Sequence, residues 1–421
     1  MNKRVLFLLI FVLIPFIAKA EAVSLTLDEA IAIALRDNRD ILLSKESVEK
    51  AKASIKEAWA SALPALDFST DRLTTQELGP KPYSTTEIHA GLEQVIFSSG
   101  SIINTIKYNQ YQKEVQQALL DSARLEVVLN VKKAFCTLVL AKDLRDLDKM
   151  MLENMQQHLD FIEERYKNGQ SSETDILNIK ASLSAIKQEY DYSLSQVEAA
   201  QALLRKLLYL DESVNIDPLG EFVYQPIEIA YDKAILEAMA KRPEIRQFEA
   251  RSKAGKKAIS IARAGNLPSI YATWDAYSGD RFLTTTGGTA KWKNYNVYGI
   301  VLSWPLFDGF ATQAKIEQAV IDLKETQLSK ERMIKDIAFQ VKESYLSLKD
   351  AISQIEAREA EVVLYNDNFS TVKEKYREGI TSVLDVSDAS LKQELALFNK
   401  RQAIYDYIIA KASFDKATGG T

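Results

Sequence analysis

Histidine and cysteine, which often act as catalytic or metal-binding side chains, are few in this sequence, and their spacing matches no known catalytic or metal-binding motif. The two histidines, His89 and His158, share no pattern, so a metal site is not expected from them. Cys136 lies in an apolar helical stretch, which favours a small packed hydrophobe over a redox role. The adjacent carboxylates at 163–164 are typical of a solvated helix face. No nucleophile stands out beside a base, so we predict no enzyme activity and no cofactor.

The charge and motif content excludes two further classes. With 53 Lys and Arg against 58 Asp and Glu, the formal net charge is −5, and no basic patch suggests a nucleic-acid partner. No Walker A loop occurs, so the chain is not expected to hydrolyse nucleotides.

The first twenty residues have the parts of a secretory signal peptide. A basic start precedes an apolar run from Val5 to Ile17, and an A-x-A cleavage pattern follows at 18–20. The run is shorter than the roughly 20 residues that a spanning anchor needs. We therefore predict a signal peptide at 1–20 and a mature chain that begins at Glu21.

The sequence contains an internal duplication. Motifs of the first half return in the same order in the second half. The matching pairs are Leu27–Ala30 with Tyr231–Ala234, Asp40–Ile41 with Glu244–Ile245, Ala62–Pro64 with Asn266–Pro268, Gln94–Ser98 with Trp304–Asp308, and Arg165–Gly169 with Lys375–Gly379. We predict a first repeat at 21–210, a linker with proline and glycine at 211–230, and a second repeat at 231–421.

Each repeat is predicted to contain three helices. The first ends at Pro64 or Pro268, and Pro243 predicts a break in the second repeat. A third helix follows each glycine turn, at 175–210 and at 385–417, and returns antiparallel beside the second.

The second helix of each repeat is predicted to be unusually long. Residues 102–166 and 312–376 contain neither proline nor glycine, which gives about 100 Å at ~1.5 Å per residue. A seven-residue apolar repeat in the later segment predicts a coiled-coil seam. Its members are Val341, Leu348, Ile355, Val362, Phe369 and Tyr376, with Ile337, Tyr345 and Ile352 as companions.

Segments between the first and second helices alternate with the period of a β-strand. The apolar positions are Ile88, Ala90 and Leu92, then Ile270, Ala272, Trp274 and Ala276, then Tyr298, Ile300, Leu302 and Trp304, with a weaker strand at 66–72. Residues 76–84 and 281–293 are the predicted hairpin loops. Four strands cannot close a barrel, and open edges are not tolerated in a bilayer. Two copies would supply eight strands and three copies twelve, and the polar faces favour the wider option. A small soluble sheet packed on the helices is the alternative.

The duplicated motifs resemble those of the TolC-like outer-membrane efflux proteins. The resemblance covers nearly all of the mature chain. It rests on the Leu-Pro pair before the strands, the Pro-Leu-Phe-Asp-Gly segment at 305–309, and the paired Tyr-x-x-Gly…Asp turns. It implies a mainly α-helical homotrimer in the outer membrane, with a twelve-stranded barrel on a helical periplasmic tunnel. The resemblance further implies that the tunnel would dock onto a periplasmic adaptor and an inner-membrane pump as a passive conduit, with the barrel in contact with outer-membrane lipid.

The resemblance also implies roles for particular residues. Asp385 and Asp388 match inward carboxylates that narrow the periplasmic end, although an aspartate in a first helical turn also complements the helix dipole. Asp175 and Tyr376 match a pair that links the helical hairpins of the gate, although Tyr376 also lies on the heptad seam. Gly169 and Gly379 match the turns that face the adaptor. The family arginine expected near the second turn is replaced by Thr381, so the closing network differs.

A periplasmic coiled-coil adaptor or scaffold is the main alternative function. Such a protein would also have a signal peptide and heptad repeats, but it would not need alternating strands with aromatic residues suited to a membrane interface. A secreted hydrolase is a weaker alternative. The sequence leaves open the cargo and whether the pump is proton-driven, ATP-driven or part of a secretion system.

Overall fold

The computed structural model describes residues 22–75, 83–220, 224–227, 230–280 and 292–420. The predicted signal peptide and most of both predicted hairpin loops lie outside these residues. Among the residues described, no helix combines the length and the apolar character that a membrane span requires.

Helices account for most of the described chain. In chain order the elements are β1 (Ala22–Leu25), α1 (Leu27–Asp37), α2 (Arg39–Ala60), β2 (Ala65–Thr75), β3 (Tyr83–Phe97), α3 (Ser101–Lys167), α4 (Glu173–Leu208), β4 (Asn215–Pro218), α5 (Tyr231–Lys241), α6 (Pro243–Ala264), β5 (Ser269–Gly279), β6 (Lys293–Ser303), α7 (Ala311–Arg377) and α8 (Val383–Thr418).

The helices of the two repeats match in length. α1 and α5 each contain 11 residues, α2 and α6 contain 22, α3 and α7 contain 67, and α4 and α8 contain 36. At ~1.5 Å per residue, α3 and α7 are each about 100 Å long. The predicted duplication of a helix, hairpin, long helix and helix is confirmed.

The first helical region is divided in both repeats. Pro243 is the first residue of α6, because at that position proline loses only an N–H that would have no partner within the helix. The prediction of one undivided helix in the first repeat is wrong. Asn38 separates α1 from α2, and its side chain accepts a hydrogen bond from Asp40 N at 2.9 Å. Asparagine is a favoured N-cap, so the break needs no proline.

Strands β2, β3, β5 and β6 form one antiparallel sheet in that order. They confirm the four predicted strands. Facing residues of paired strands project to the same side, so the register defines two faces of the sheet. One row joins Asp67 through Gly91 to Asp275.

The segment predicted as a linker contains a short strand. β4 lies within 211–230 and pairs in parallel with β1, from Ala22 and Asn215 to Leu25 and Pro218. Leu219 N donates to Leu25 O at 2.7 Å. The strand is too short to give a periodic signal, and its partner is distant in the sequence.

The chain divides into two compact units, each with its own core. One unit comprises residues up to Asp37, 130–224 and 354–406, and the other comprises 38–129, 225–353 and 407 onward. Fully buried side chains in the first unit include Phe135, Leu138, Leu204, Leu208 and Ile216. In the second unit a core cluster contains Ala234, Ala238, Ile337, Val341 and Ala417.

The heptad seam predicted along α7 is buried over part of its length. Val341, Leu348 and Ile355 have 0% exposure, which confirms the seam there. Phe369 is only partly buried, and Tyr376 is 46% exposed. Within a single chain, the seam is therefore uncovered where α7 approaches its final turn.

Candidate functional site

The turns that follow α3 and α7 share one backbone geometry. Gly169 and Gly379 have φ angles of 72° and 74°, in the left-handed region that favours glycine. The residue after each glycine donates its N–H to the carbonyl of Arg165 or Lys375 at 2.9 Å, as in a Schellman motif. A Cβ at either glycine would meet nothing within 4 Å, so both turns are open to their surroundings.

Asp175 and Asp385 each complete a capping box at the helix start that follows the turn. Asp175 Oδ2 accepts hydrogen bonds from Ser172 N at 2.9 Å and Ser172 Oγ at 2.8 Å. Asp385 Oδ2 accepts from Ser382 N and Ser382 Oγ, both at 2.8 Å. These bonds, the backbone bond first, hold the pKa of both carboxyls below its usual range. The helix-start role of Asp385 is therefore present in the structure.

Asp388 lies outside this capping box. It is exposed and is a near neighbour of Asp385 on the surface of α8. The first repeat offers a direct comparison, because Asp175 corresponds to Asp385 and the exposed Asn178 corresponds to Asp388. The capping carboxylate is common to both repeats, whereas the charge at Asp388 belongs to the second repeat alone.

The structure does not join Asp175 and Tyr376 by a hydrogen bond within the described chain. The carboxylate is bonded to the serines of its own turn, including Ser172, and Tyr376 is half-exposed. Thr381, in the position of the family arginine, places its Oγ1 3.5 Å from Val372 O on α7. The link between Asp175 and Tyr376 stays a prediction.

The four-stranded sheet has one mainly apolar face and one mainly polar face. The large apolar residues on one face are Leu66, Phe68, Ile88, Leu92, Ile270, Trp274, Tyr298, Ile300 and Leu302. Phe68 is 71% exposed, Tyr298 75% and Ile300 78%. The other face bears Asp67, Asp71, Glu87, His89, Glu93, Asp275, Tyr277, Lys293 and Tyr295. A contiguous exposed apolar face marks a contact with lipid or another protein.

Strands β2 and β6 are the edges of this sheet. Among the described residues, each pairs with a single neighbouring strand. An edge strand presents backbone N–H and C=O groups along its outer side. In hydrocarbon each such group costs several kcal/mol, so this sheet needs further strands at both edges in order to cross a bilayer.

The polar face contains a side-chain cluster that the sequence analysis missed. His89 Nε2 lies 2.9 Å from Asp275 Oδ1, and His89 Nδ1 lies 3.5 Å from Asp67 Oδ2. The imidazole stacks on Tyr277 with ring centroids 4.6 Å apart. Strand alternation assigns His89 to the polar face. The register that brings Asp275 beside it spans 186 residues of sequence and leaves no local signal.

The histidines and the cysteine show no arrangement for metal or thiol chemistry. Across the part of the chain that the structure describes, no group of three or more His, Cys, Asp and Glu side chains is placed to hold a metal ion. Cys136 is fully buried, and burial raises the pKa of its thiol to about 12. It is a packed side chain, as its apolar sequence context predicted.

One family profile matches nearly the whole chain. The family described as Outer membrane efflux protein matches residues 30–208 and 234–420. The chain belongs to this family. The resemblance noted in the duplicated motifs is thereby confirmed.

Two relatives illustrate how far this membership extends in sequence. The alkaline protease secretion protein AprF of Pseudomonas aeruginosa is 26% identical over 330 residues, which cover 74% of this chain and 64% of that protein. This chain therefore spans just under two thirds of the length of AprF. The outer membrane protein TolC of Escherichia coli is 21% identical over 402 residues, which cover 91% of this chain and 80% of TolC.

Solved structures show the same fold. The Campylobacter jejuni CmeC outer membrane channel superposes with a TM-score of 0.77 at 20% identity, covering 94% of this chain and 85% of that chain. The Neisseria gonorrhoeae MtrE outer membrane channel gives a TM-score of 0.74 at 18% identity, covering 94% and 89%. The family is made of outer-membrane channel proteins, so the predicted location in the outer membrane and the predicted channel class are confirmed.

Proposed function

We propose that this protein is the passive exit channel of a tripartite efflux or type I secretion system. The observation that carries the proposal is the four-stranded sheet with an exposed apolar face and two edges that each pair on one side. Pairing β6 of one copy with β2 of the next satisfies the edges and turns the apolar face toward lipid.

Three copies fit the faces of this sheet better than two. An eight-stranded barrel has an interior just wide enough to be filled by side chains, whereas a larger barrel encloses water. The polar face bears several carboxylates and a lysine, and these need water or ion partners. The proposed assembly is therefore a homotrimer with a twelve-stranded barrel.

The proposed gate lies at the turns. In a trimer, Asp385 and Asp388 of the three copies form a carboxylate ring that attracts cations and resists anions. The capping bonds of Asp385 use its Oδ2, and Asp388 lies outside the capping box. We assign the larger share of selectivity to Asp388. The link between Asp175 and Tyr376 would hold the gate closed, with Thr381 in place of an arginine.

The proposed partners follow from the same surfaces. The open turns at Gly169 and Gly379 contact a periplasmic adaptor, which joins the channel to an inner-membrane pump. The apolar face of the sheet contacts outer-membrane lipid. The names of AprF and TolC do not assign a cargo to this chain.

Single-channel recording in planar bilayers tests this function. We expect wild-type protein to give cation-selective currents. Asp388→Asn should reduce the selectivity because it removes one carboxylate per chain from the ring, and asparagine already occupies the matching position of the first repeat. Ser382→Ala is the matched control, since it removes capping bonds and keeps both carboxylates. Unchanged selectivity in Asp388→Asn would remove the ring and keep the channel. A detergent-independent, water-soluble protein without currents would refute the channel.

A further inference from the structure

The Asp67, His89 and Asp275 side chains lie together on three adjacent strands, with Asp275 hydrogen-bonded to the imidazole and Asp67, 66% exposed, approaching it from the other side. The His89 side chain is only 20% exposed, and its ring nitrogens face one carboxylate each, Asp275 at 2.9 Å and Asp67 at 3.5 Å. A neutral imidazole has a single N–H to donate, whereas the protonated ring donates from both nitrogens. The cluster is therefore completed when His89 carries a positive charge.

Gly91 makes room for this cluster. It lies in the row between Asp67 and Asp275. A Cβ built on Gly91 would lie 2.6 Å from Asp67 Oδ1 and 3.2 Å from Asp275 Oδ1. Any larger residue would push the carboxylates apart, so the absence of a side chain brings two negative charges onto one histidine.

The imidazole is also fixed from its ring face. Its stack on Tyr277 continues to Tyr295, with centroids of the two tyrosine rings 4.9 Å apart. The ring is therefore held on the polar face among groups from every strand of the sheet. The titratable groups of this face are Asp67 and Asp71 on β2, Glu87 and Glu93 on β3, Tyr271, Asp275 and Tyr277 on β5, and Lys293 and Tyr295 on β6.

A metal does not explain this geometry. The two ring nitrogens point to different carboxylates, so the three side chains do not converge on one point, and they form no metal-holding group among the described residues. On this face carboxylates outnumber positively charged side chains, so any water that the face lines is enriched in mobile cations.

We propose that the Asp67, His89 and Asp275 cluster sets the charge selectivity of the barrel lumen, with His89 as its adjustable charge. The inference rests on the proposed channel function, which places the polar face in the lumen. Histidine is the side chain that changes charge between about pH 5 and 8. Protonation adds one positive charge per chain on the four-stranded sheet, and lowers the preference for mobile cations.

The expected effect is measurable. An elementary charge about 7 Å from the path of an ion changes the local concentration of that ion about threefold in water. We therefore expect the cation-over-anion permeability ratio of wild-type channels to fall about threefold or more between about pH 8 and about pH 5.5.

The test compares reversal potentials in a salt gradient for wild type, His89→Gln and His158→Gln. The chain has two histidines, so His158→Gln is a matched control on α3. We expect the pH response to persist in His158→Gln and to vanish in His89→Gln. A full response in His89→Gln would overturn the proposal. Absence of current from wild type would instead refute the channel function, and this inference with it.

A second outcome does not depend on the folding of a variant. A wild-type permeability ratio that stays constant between about pH 8 and about pH 5.5 would overturn the proposal, because nothing would then adjust the charge of the lumen over that interval.

Discussion

Ile300→Lys tests directly whether the apolar face of the sheet contacts lipid. Ile300 lies on β6, faces Ala272 of β5, and is 78% exposed in the single chain. The next residue, Val301, projects to the polar face and is 47% exposed. Val301→Lys is therefore a matched control, because the same charge is placed one residue away on the opposite side of the same strand.

The two substitutions differ in the expected free-energy cost of placing a lysine in the membrane-inserted barrel. A lysine on the lipid side of a barrel costs about 2–4 kcal/mol near the bilayer midplane, whereas a residue facing a water-filled lumen has no such cost. A trimer contains the substitution three times, so the cost per assembly is roughly 6–12 kcal/mol if the sites are independent. If the face were exposed to water, Ile300→Lys would change stability by only about 0.5 kcal/mol.

The assay is folding and insertion into lipid vesicles, followed by gel mobility of unheated samples and by denaturant titration. We expect Val301→Lys to insert as wild type does, and Ile300→Lys to insert poorly or to unfold at lower denaturant. Equal insertion of the two variants would refute the assignment of the faces. Loss of insertion in Val301→Lys alone would show that the faces are assigned the wrong way round.

Two further predictions concern buried groups. Arg242, whose side chain is 4% exposed, forms two hydrogen bonds with Glu244 at 2.9 and 3.1 Å, so Arg242→Met leaves a part-buried carboxylate uncompensated. We expect a loss of about 3–5 kcal/mol in urea unfolding, and a loss below about 1 kcal/mol would contradict this reasoning. Cys136, with its pKa raised to about 12 by burial, should resist maleimide in the folded protein and react after unfolding; rapid labelling of folded protein would contradict this.

The regular elements were predictable because their signals are local. The absence of proline and glycine across 102–166 and 312–376 is visible in the sequence and suffices for two long helices. Alternation at 270–276 predicted a strand and its two faces before any partner was known. The duplication added confirmation, since each element had to be consistent with its counterpart.

The features that were missed depend on distant pairing or on one side chain. The β1 and β4 strands have four residues each and pair across the whole first repeat, so neither is periodic enough to predict. Asn38 breaks a helix only because its side chain turns back to Asp40 N, and asparagine also occurs inside helices. The partners of His89 were likewise set by strand register.

The turns of the two repeats share a capping aspartate and differ in charge at one exposed position nearby. Both turns have a left-handed glycine and a serine that shares a capping box with an aspartate, so helix-start chemistry accounts for Asp175 and Asp385 alike. If only the second turn contributes to ion selectivity, the residue responsible must be one that the first turn does not have. At the next neighbouring position of the helix, the first repeat has Asn178 and the second has Asp388, both exposed. Helix capping needs neither residue, so Asp388→Asn tests the proposed role in selectivity without removing a capping bond.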